Sequence, residues 1–249
     1  IGRKNSSGFP AKNIYKIFGI PLCAYPMRAA QKARCKPRLF VSTDCKKIID
    51  VAKQHNAEII DRPPELATNK ALGEDAFHHG YETIKETLKS ENKKITYLIL
   101  LFANAPTVSA EMIDQGVSIL GSQSDKDSAV STSIYNMWSP LRARKLDNNG
   151  CLQPFVPFET FGDPKTLNCD RDSQGNVHYA DMSVSVVRPN CLENMKDGLL
   201  PQKWMGNKIA AIPSWGGCDV DYKWQIPMVE YWIKKHNLVP SDFKAKMQL

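Results

Sequence analysis

Two short stretches at opposite ends of the chain carry residue types that could do chemistry. The first runs from Ile1 to Asn13 and reads IGRKNSSGFPAKN. Small residues (Gly2, Ser6, Ser7, Gly8) are flanked there by cations (Arg3, Lys4, Lys12). Small residues let backbone N–H groups approach an anion closely, and cations neutralise it, so such loops cradle phosphates. The pattern is neither G-x-x-x-x-G-K-[ST] nor G-x-G-x-x-G, which excludes the ATPase P-loop and the dinucleotide fingerprint. By composition alone the stretch also reads as a solvated turn. The second stretch is Asp219-Val220-Asp221, directly after Gly216-Gly217-Cys218. Alternate residues on a strand or tight loop point the same way, so both carboxylates can face one Mg²⁺. Two exposed acids ahead of a helix is the other reading of that spacing.

The spacing R-x-x-S-x-G-x-P-x-K-N, from Arg3 to Asn13, is followed by Gly19-Ile-Pro21-Leu22 and by Val41-Ser-Thr-Asp44. This order resembles the acylneuraminate cytidylyltransferase family, the CMP-sialic acid synthetases and their relatives for other 2-keto-3-deoxy sugar acids. The resemblance continues through Arg62-Pro-Pro-Glu-Leu-Ala67 and returns at Cys218-Asp219-Val220-Asp221, which looks like the family's Asp-x-Asp metal motif. It implies an enzyme that moves CMP from CTP to an acidic sugar, releases pyrophosphate and uses Mg²⁺. It further implies that Arg3, Ser6, Ser7, Gly8, Lys12, Asn13 and Arg62 hold the nucleotide. Lys12 and Arg3 match the cations on the triphosphate, Asn13 the nucleoside contact, and Arg62 an arginine near the pyrimidine. Asp219 and Asp221 would hold the metal, and Lys12, Arg3 and Asp221 would carry catalysis. Arg62 ahead of two prolines also reads as a surface cation, and Asp44 also reads as a helix cap.

The acceptor half departs from the family. The loop has Arg3-Lys4-Asn5-Ser6-Ser7 where the family often has Arg-Gly-Gly-Ser-Lys. After the central strand the chain has Phe102-Ala103-Asn104-Ala105-Pro106 in place of Gln-x-Thr-Ser-Pro. The family's basic patch and Asn-Gly strand motif give way to Asn168-Cys169-Asp170-Arg171-Asp172 and Tyr179-Ala180-Asp181-Met182. Asn104, Arg171 and Asp181 remain as candidate acceptor contacts, with Asp170 and Asp172 competing for Arg171. Cytidylyl transfer is therefore better supported than any one sugar. The alternatives are a non-sialic acceptor such as an amino-sugar acid or a phosphonate, a nucleotidyltransferase using another base, or a non-catalytic nucleotide-binding relative.

The elements that must position these residues alternate between short apolar strands and helices. The pattern predicts a helix over 21–33, a strand at Leu39–Val41, and a helix behind Asp44. A strand follows at Glu58–Ile60, then a helix over 74–89. Ile95–Phe102, eight residues bounded by polar ones, suits a buried central strand. Ser109 can cap the helix through Leu120, strand pattern resumes over 182–188, and the last helix covers 222–236. This reads as an α/β fold with a mostly parallel, doubly wound, Rossmann-like nucleotidyltransferase sheet. In such a sheet the loop 1–13, Ser42-Thr43-Asp44, Asn104 and Asp219–Asp221 fall at one rim. Residues 138–179 break the rhythm with prolines and with Asn148-Asn149-Gly150, a hairpin signal. That stretch reads as an insertion on a single domain spanning 1–249. The family resemblance makes it a dimerisation lobe near the partner's acceptor site.

Composition bounds the partners. The 249 residues, 42% hydrophobic and 24% charged, are those of an ordinary globular domain. The +7 net charge is spread among acids, with no basic run interleaved with aromatics, so it reads as attraction for small anions rather than for nucleic acid. No apolar run is long enough for a membrane span. The seven cysteines form no C-x-x-C pair and read as reduced thiols of a cytoplasmic protein. Expected partners are CTP, a small acidic acceptor and a second copy of the chain.

Overall fold

The structure is a computed structural model that describes residues 1–4, 8–68, 70–241 and 243. Ser6 and Ser7, expected in the phosphate loop, lie outside the described residues. In chain order the strands are β1 (Lys16–Ile17), β2 (Ile20–Pro21), β3 (Phe40–Thr43), β4 (Glu58–Asp61), β5 (Leu98–Leu100), β6 (Ser128–Ile134), β7 (Arg144–Leu146), β8 (Leu152–Pro154), β9 (His178–Val187) and β10 (Ile209–Pro213). The α-helices are α1 (Ala24–Lys32), α2 (Lys46–Gln54), α3 (Gly73–Ser90), α4 (Ala110–Ser122), α5 (Pro189–Glu193) and α6 (Ile226–Lys235).

The central sheet has the order β10-β6-β9-β5, and its side chains alternate between two cores. Ala129, Val184, Val186 and Ile212 face a core shared with Ile113 and Leu120 of α4 and with Trp232 and Ile233 of α6. Leu98, Leu100, Val130 and Val187 face the other, with Phe77 and Tyr81 of α3, Leu192 and Trp204. A sheet covered on both faces needs apolar residues at successive positions, which β5, β9 and β10 supply. Helix α4 lies close to the sheet because Gly116 has no side chain. A Cβ there would come within 2.6 Å of Val186 Cγ2 and 2.8 Å of Ile212 Cδ1. Ser109 caps α4 as its type predicts, accepting from Met112 N–H.

The sheet is mixed, not mostly parallel. β10 pairs with β6 in parallel, but β9 runs antiparallel to both β6 and β5. Between β6 and β9 the chain passes through 3₁₀ turns and the β7–β8 hairpin, with no crossover helix to turn it around. Strands joined without such a crossover pair antiparallel. A separate parallel pair, β3–β4, packs against α2 through Val41, Ile48 and Ala52. Ile1 and Gly2 join this pair to the central sheet. Gly2 N–H donates to Ser42 O on β3, while Ile1 O accepts from Ala103 N–H just past β5. A Cβ on Gly2 would sit 2.5 Å from that of Ala103, so the junction admits only glycine.

Two local readings are corrected. Pro21 belongs to the β1–β2 hairpin, and α1 starts later, at Ala24. Asp44 does not cap α2; its Oδ1 accepts from Lys4 N–H at 2.8 Å and ties the N-terminal loop to β3. The β7–β8 hairpin forms around Gly150, which sits at φ 77. The inserted region exposes Trp138, Leu146, Leu152 and Phe155, each more than half accessible. Among the described residues no helix is long and apolar enough to cross a membrane.

Candidate active site

A cleft of about 440 Å³ opens at the rim where β3, β4 and the segment after β5 end. Ala11 takes a left-handed backbone (φ 58) and turns the N-terminal loop into a single 3₁₀ turn at Lys12–Ile14. That turn brings Lys12 and Asn13 to the cleft, beside Arg3 and Gly8 of the same loop. Arg62, one residue past β4, Asn104, past β5, and Asp221 complete the lining. Seven residues singled out from the sequence thus line one cavity.

Each cation is held in place. Arg62 is 9% exposed and donates to Ser42 O at 2.6 Å and to Ser42 Oγ at 3.2 Å. Burial lowers its pKa from the ordinary arginine value, with Asp44 acting in the opposite direction. Arg3 Nη1 donates to Thr68 O at 2.6 Å. Lys12 Nζ lies 2.5 Å from Asp221 Oδ1, an ion pair that residue spacing gave no reason to expect. The lysine end is almost buried (11%) and the aspartate end is open (55%). Gly8 makes this approach possible: a Cβ on it would sit 2.8 Å from Asp221 O.

Asp219 points inward beside Asn104, whose Nδ2 lies 3.4 Å from Asp219 Oδ2 and 3.2 Å from Val220 O. Burial raises the Asp219 pKa above the usual carboxylate value, and the neighbouring Asp221 raises it further. Two carboxylates, one of them desolvated, share Lys12 as their nearby cation. This arrangement suits a divalent cation. Among the described residues no group of three or more His, Cys, Asp and Glu could hold a metal by itself. Mg²⁺ commonly takes one or two carboxylates and fills its remaining positions with water and phosphate oxygens, so the pair fits a metal that arrives with a phosphate.

Asn13 is 7% exposed, and its Nδ2 donates to Arg3 O. Its Oδ1 is buried with no donor among the described residues. Buried acceptors are rarely left unmet, so this oxygen fits a donor on a bound ligand. Cleft-lining residues that the sequence gave no reason to single out include Ala71, Leu72, Ala76 and Tyr222. They form an apolar wall with no chemical signature of its own. Two expected acceptor contacts are not in the cleft. Arg171 is exposed on the insertion and pairs with Asp172 at 2.7 Å. Asp181 is 5% exposed inside the sheet. The thiol nearest the carboxylates, Cys218, is pushed up to about 12 by burial and by Asp219, Asp181 and Asp221, which keeps it protonated.

The geometry agrees with relatedness. A family model described as cytidylyltransferase matches residues 2–204. CMP-N,N'-diacetyllegionaminic acid synthase of Legionella pneumophila is 31% identical over 153 residues, covering 60% of this chain and 62% of that protein. N-acylneuraminate cytidylyltransferase A of Danio rerio is 26% identical over 123 residues, covering 49% of this chain and 27% of that protein. The chain thus spans between about a quarter and three fifths of the length of these relatives. The fold matches a CMP:2-keto-3-deoxy-manno-octonic acid synthetase solved with CTP, with TM-score 0.62 and 12% identity, covering 94% of this chain and 96% of that one. With most of its length matched by the family model, and with the cations of its motifs and Asp221 gathered in one cleft, the chain belongs to the cytidylyltransferase family.

Proposed function

We propose that this protein transfers a cytidylyl group from CTP to an acidic sugar acceptor of the nonulosonate or octulosonate type and releases pyrophosphate. The observation that carries this reading is the convergence of Arg3, Lys12 and Arg62 on a cleft that Asp221 also lines, with the empty acceptor Asn13 Oδ1 in its wall. A triphosphate brings negative charge to three cations, and a nucleoside hydroxyl or amino group brings the missing donor. In the reaction an acceptor hydroxyl oxygen bonds to the α-phosphorus, the bond to the pyrophosphate oxygen breaks, and the hydroxyl proton leaves to solvent. Lys12 and Arg3 neutralise the charge that grows on the phosphates, stabilisation that acts most strongly in the transition state. Asp219 and Asp221 would hold Mg²⁺, which when bound supplies Lewis-acid stabilisation of those same oxygens. For Asp221 to do so, Lys12 must move from the carboxylate to the phosphate, so nucleotide and metal enter a site in which these two charges are paired until they arrive.

The apolar residues exposed on the insertion support a homodimer in which this lobe packs on the second copy. Sedimentation at micromolar concentration tests it, and a strict monomer would refute it. The activity is tested by pyrophosphate release with each nucleoside triphosphate against a panel of acidic sugars, amino-sugar acids and phosphonates. Release that needs CTP and a sugar acid supports the reading. Equal rates with UTP, or release independent of every acceptor, would overturn it.

A further inference from the structure

Asp181 is a carboxylate buried in the sheet with no cation among its partners in the described residues. Its Oδ1 accepts from Ser131 Oγ at 2.5 Å and from Ser183 N–H at 3.2 Å, and its Oδ2 accepts from Ser133 Oγ at 2.7 Å. The pairing of β6 with β9 shifts register between Val130 and Thr132, and Met182 takes a positive φ of 60. Such bulges re-aim side chains. Here the strand changes from three exposed residues (His178, Tyr179, Ala180) to a buried Asp181.

The hydroxyl of Ser133 has one proton. Because that proton goes to Asp181, its oxygen is left as an acceptor, and Gly217 N–H donates to it at 3.0 Å. Asp181 also packs directly on Gly217, where a Cβ would fall 2.4 Å from its Oδ2. The rest of this loop is held the same way. Tyr135 OH donates to Gly217 O, Thr107 Oγ1 bonds both N–H and C=O of Cys218, and Val220 N–H donates to Asn104 O. Gly217 to Val220 is thus suspended from polar groups at the strand ends, and Asp219 and Asp221 project from it.

We infer that Asp181 is a positioning residue for the carboxylate pair: through Ser133 it fixes Gly217, and so sets where Asp219 and Asp221 stand relative to the cleft. The inference rests on the reading of Asp219 and Asp221 as the metal pair. Asparagine at 181 keeps the shape but replaces one acceptor oxygen by a donor. One of the two serine protons then loses its acceptor, and the direction of the Ser133 bridge is no longer imposed. Residues behind metal ligands typically change metal affinity by about 10–100-fold when lost.

The test is Mn²⁺ binding in the presence of CTP, followed by electron paramagnetic resonance, for wild type, Asp181→Asn, Ser133→Ala and Asp221→Ala, alongside steady-state kinetics. The expected result for Asp181→Asn and Ser133→Ala is a Mn²⁺ Kd raised about tenfold or more, KM for CTP within about twofold of wild type, and kcat recovering as Mn²⁺ is increased. Recovery by metal is not expected of a merely destabilised fold. Ser133→Ala leaves the carboxylate with its other partners, so it carries the test if Asp181→Asn does not fold. Unchanged Mn²⁺ affinity in either folded variant, with Asp221→Ala impaired, overturns the role of Asp181. Unchanged affinity in Asp221→Ala instead overturns the metal reading on which it rests.

Discussion

The two regions of the molecule that meet at the cleft handle charge differently. On the side built from the N-terminal loop and β3–β4, cations face inward and are held by neutral oxygens: Arg62 by Ser42 and Arg3 by Thr68 O. Their charge remains available to a ligand. On the side that leads to β6, β9 and the insertion, the polar groups are satisfied among themselves. Arg171 is paired with its neighbour Asp172, Arg142 bonds Cys169 O, and Asp181 is enclosed by serines. One side presents charge and the other supplies rigidity. A phosphate site must neutralise charge, whereas a metal site must also place two carboxylates accurately. The Lys12–Asp221 ion pair joins the two sides.

Substitutions can break this contrast or sharpen it. Asp221→Ala should have the largest effect. Losing one electrostatic stabiliser costs on the order of 10²–10³ in rate, and a folded variant turning over near normally with Mg²⁺ would end the metal assignment. Lys12→Ala should lower kcat by about 10²-fold while changing the acceptor KM little, since its charge acts on the developing transition state. An effect confined to acceptor KM would give this lysine to the other side. Asn13→Ala should raise KM for CTP by about tenfold, the worth of roughly one hydrogen bond, with kcat retained. An unchanged KM would mean that its orphaned oxygen is not meant for the nucleotide. The smallest effect is expected from Arg171→Ala. An exposed pair with a sequence neighbour contributes little, so acceptor KM should stay within about twofold. A tenfold rise would show that the insertion reaches an acceptor, and would turn the second side into a charged one.

What the sequence made legible follows the same division. The grouping of the N-terminal loop in the cleft was readable because its residues are close in the chain and unusual in type: Gly8, Lys12 and Asn13 lie within six positions. Helices α3 and α4 were readable from long apolar periodicity and a serine cap. β6 gave no signal, because Ser128-Ala-Val-Ser-Thr-Ser-Ile134 has the composition of a loop. It is nonetheless a buried strand, with Ser128 donating to Met205 O, and Ser131 and Ser133 bonding Asp181. Polar residues in a core announce themselves only through partners far away in sequence. The reversal of β9 was hidden for a related reason, since strand direction depends on the connection before it and not on the strand's own residues.

The span of these contacts also sets an order of assembly. β3 and β4 pair across one helix, with Phe40 opposite Glu58, and their loop closes at small entropic cost. The bonds that suspend the carboxylate loop join residues 84 positions apart at Ser133 and Gly217, 111 at Thr107 and Cys218, and 116 at Asn104 and Val220. Contacts between such distant residues form late, because the intervening chain must first be brought together. A growing or partly unfolded chain therefore acquires the cations of the cleft before the carboxylates that oppose them. Until the last part of the sheet closes, Lys12 has no Asp221 to hold, and the basic side of the cleft stands alone.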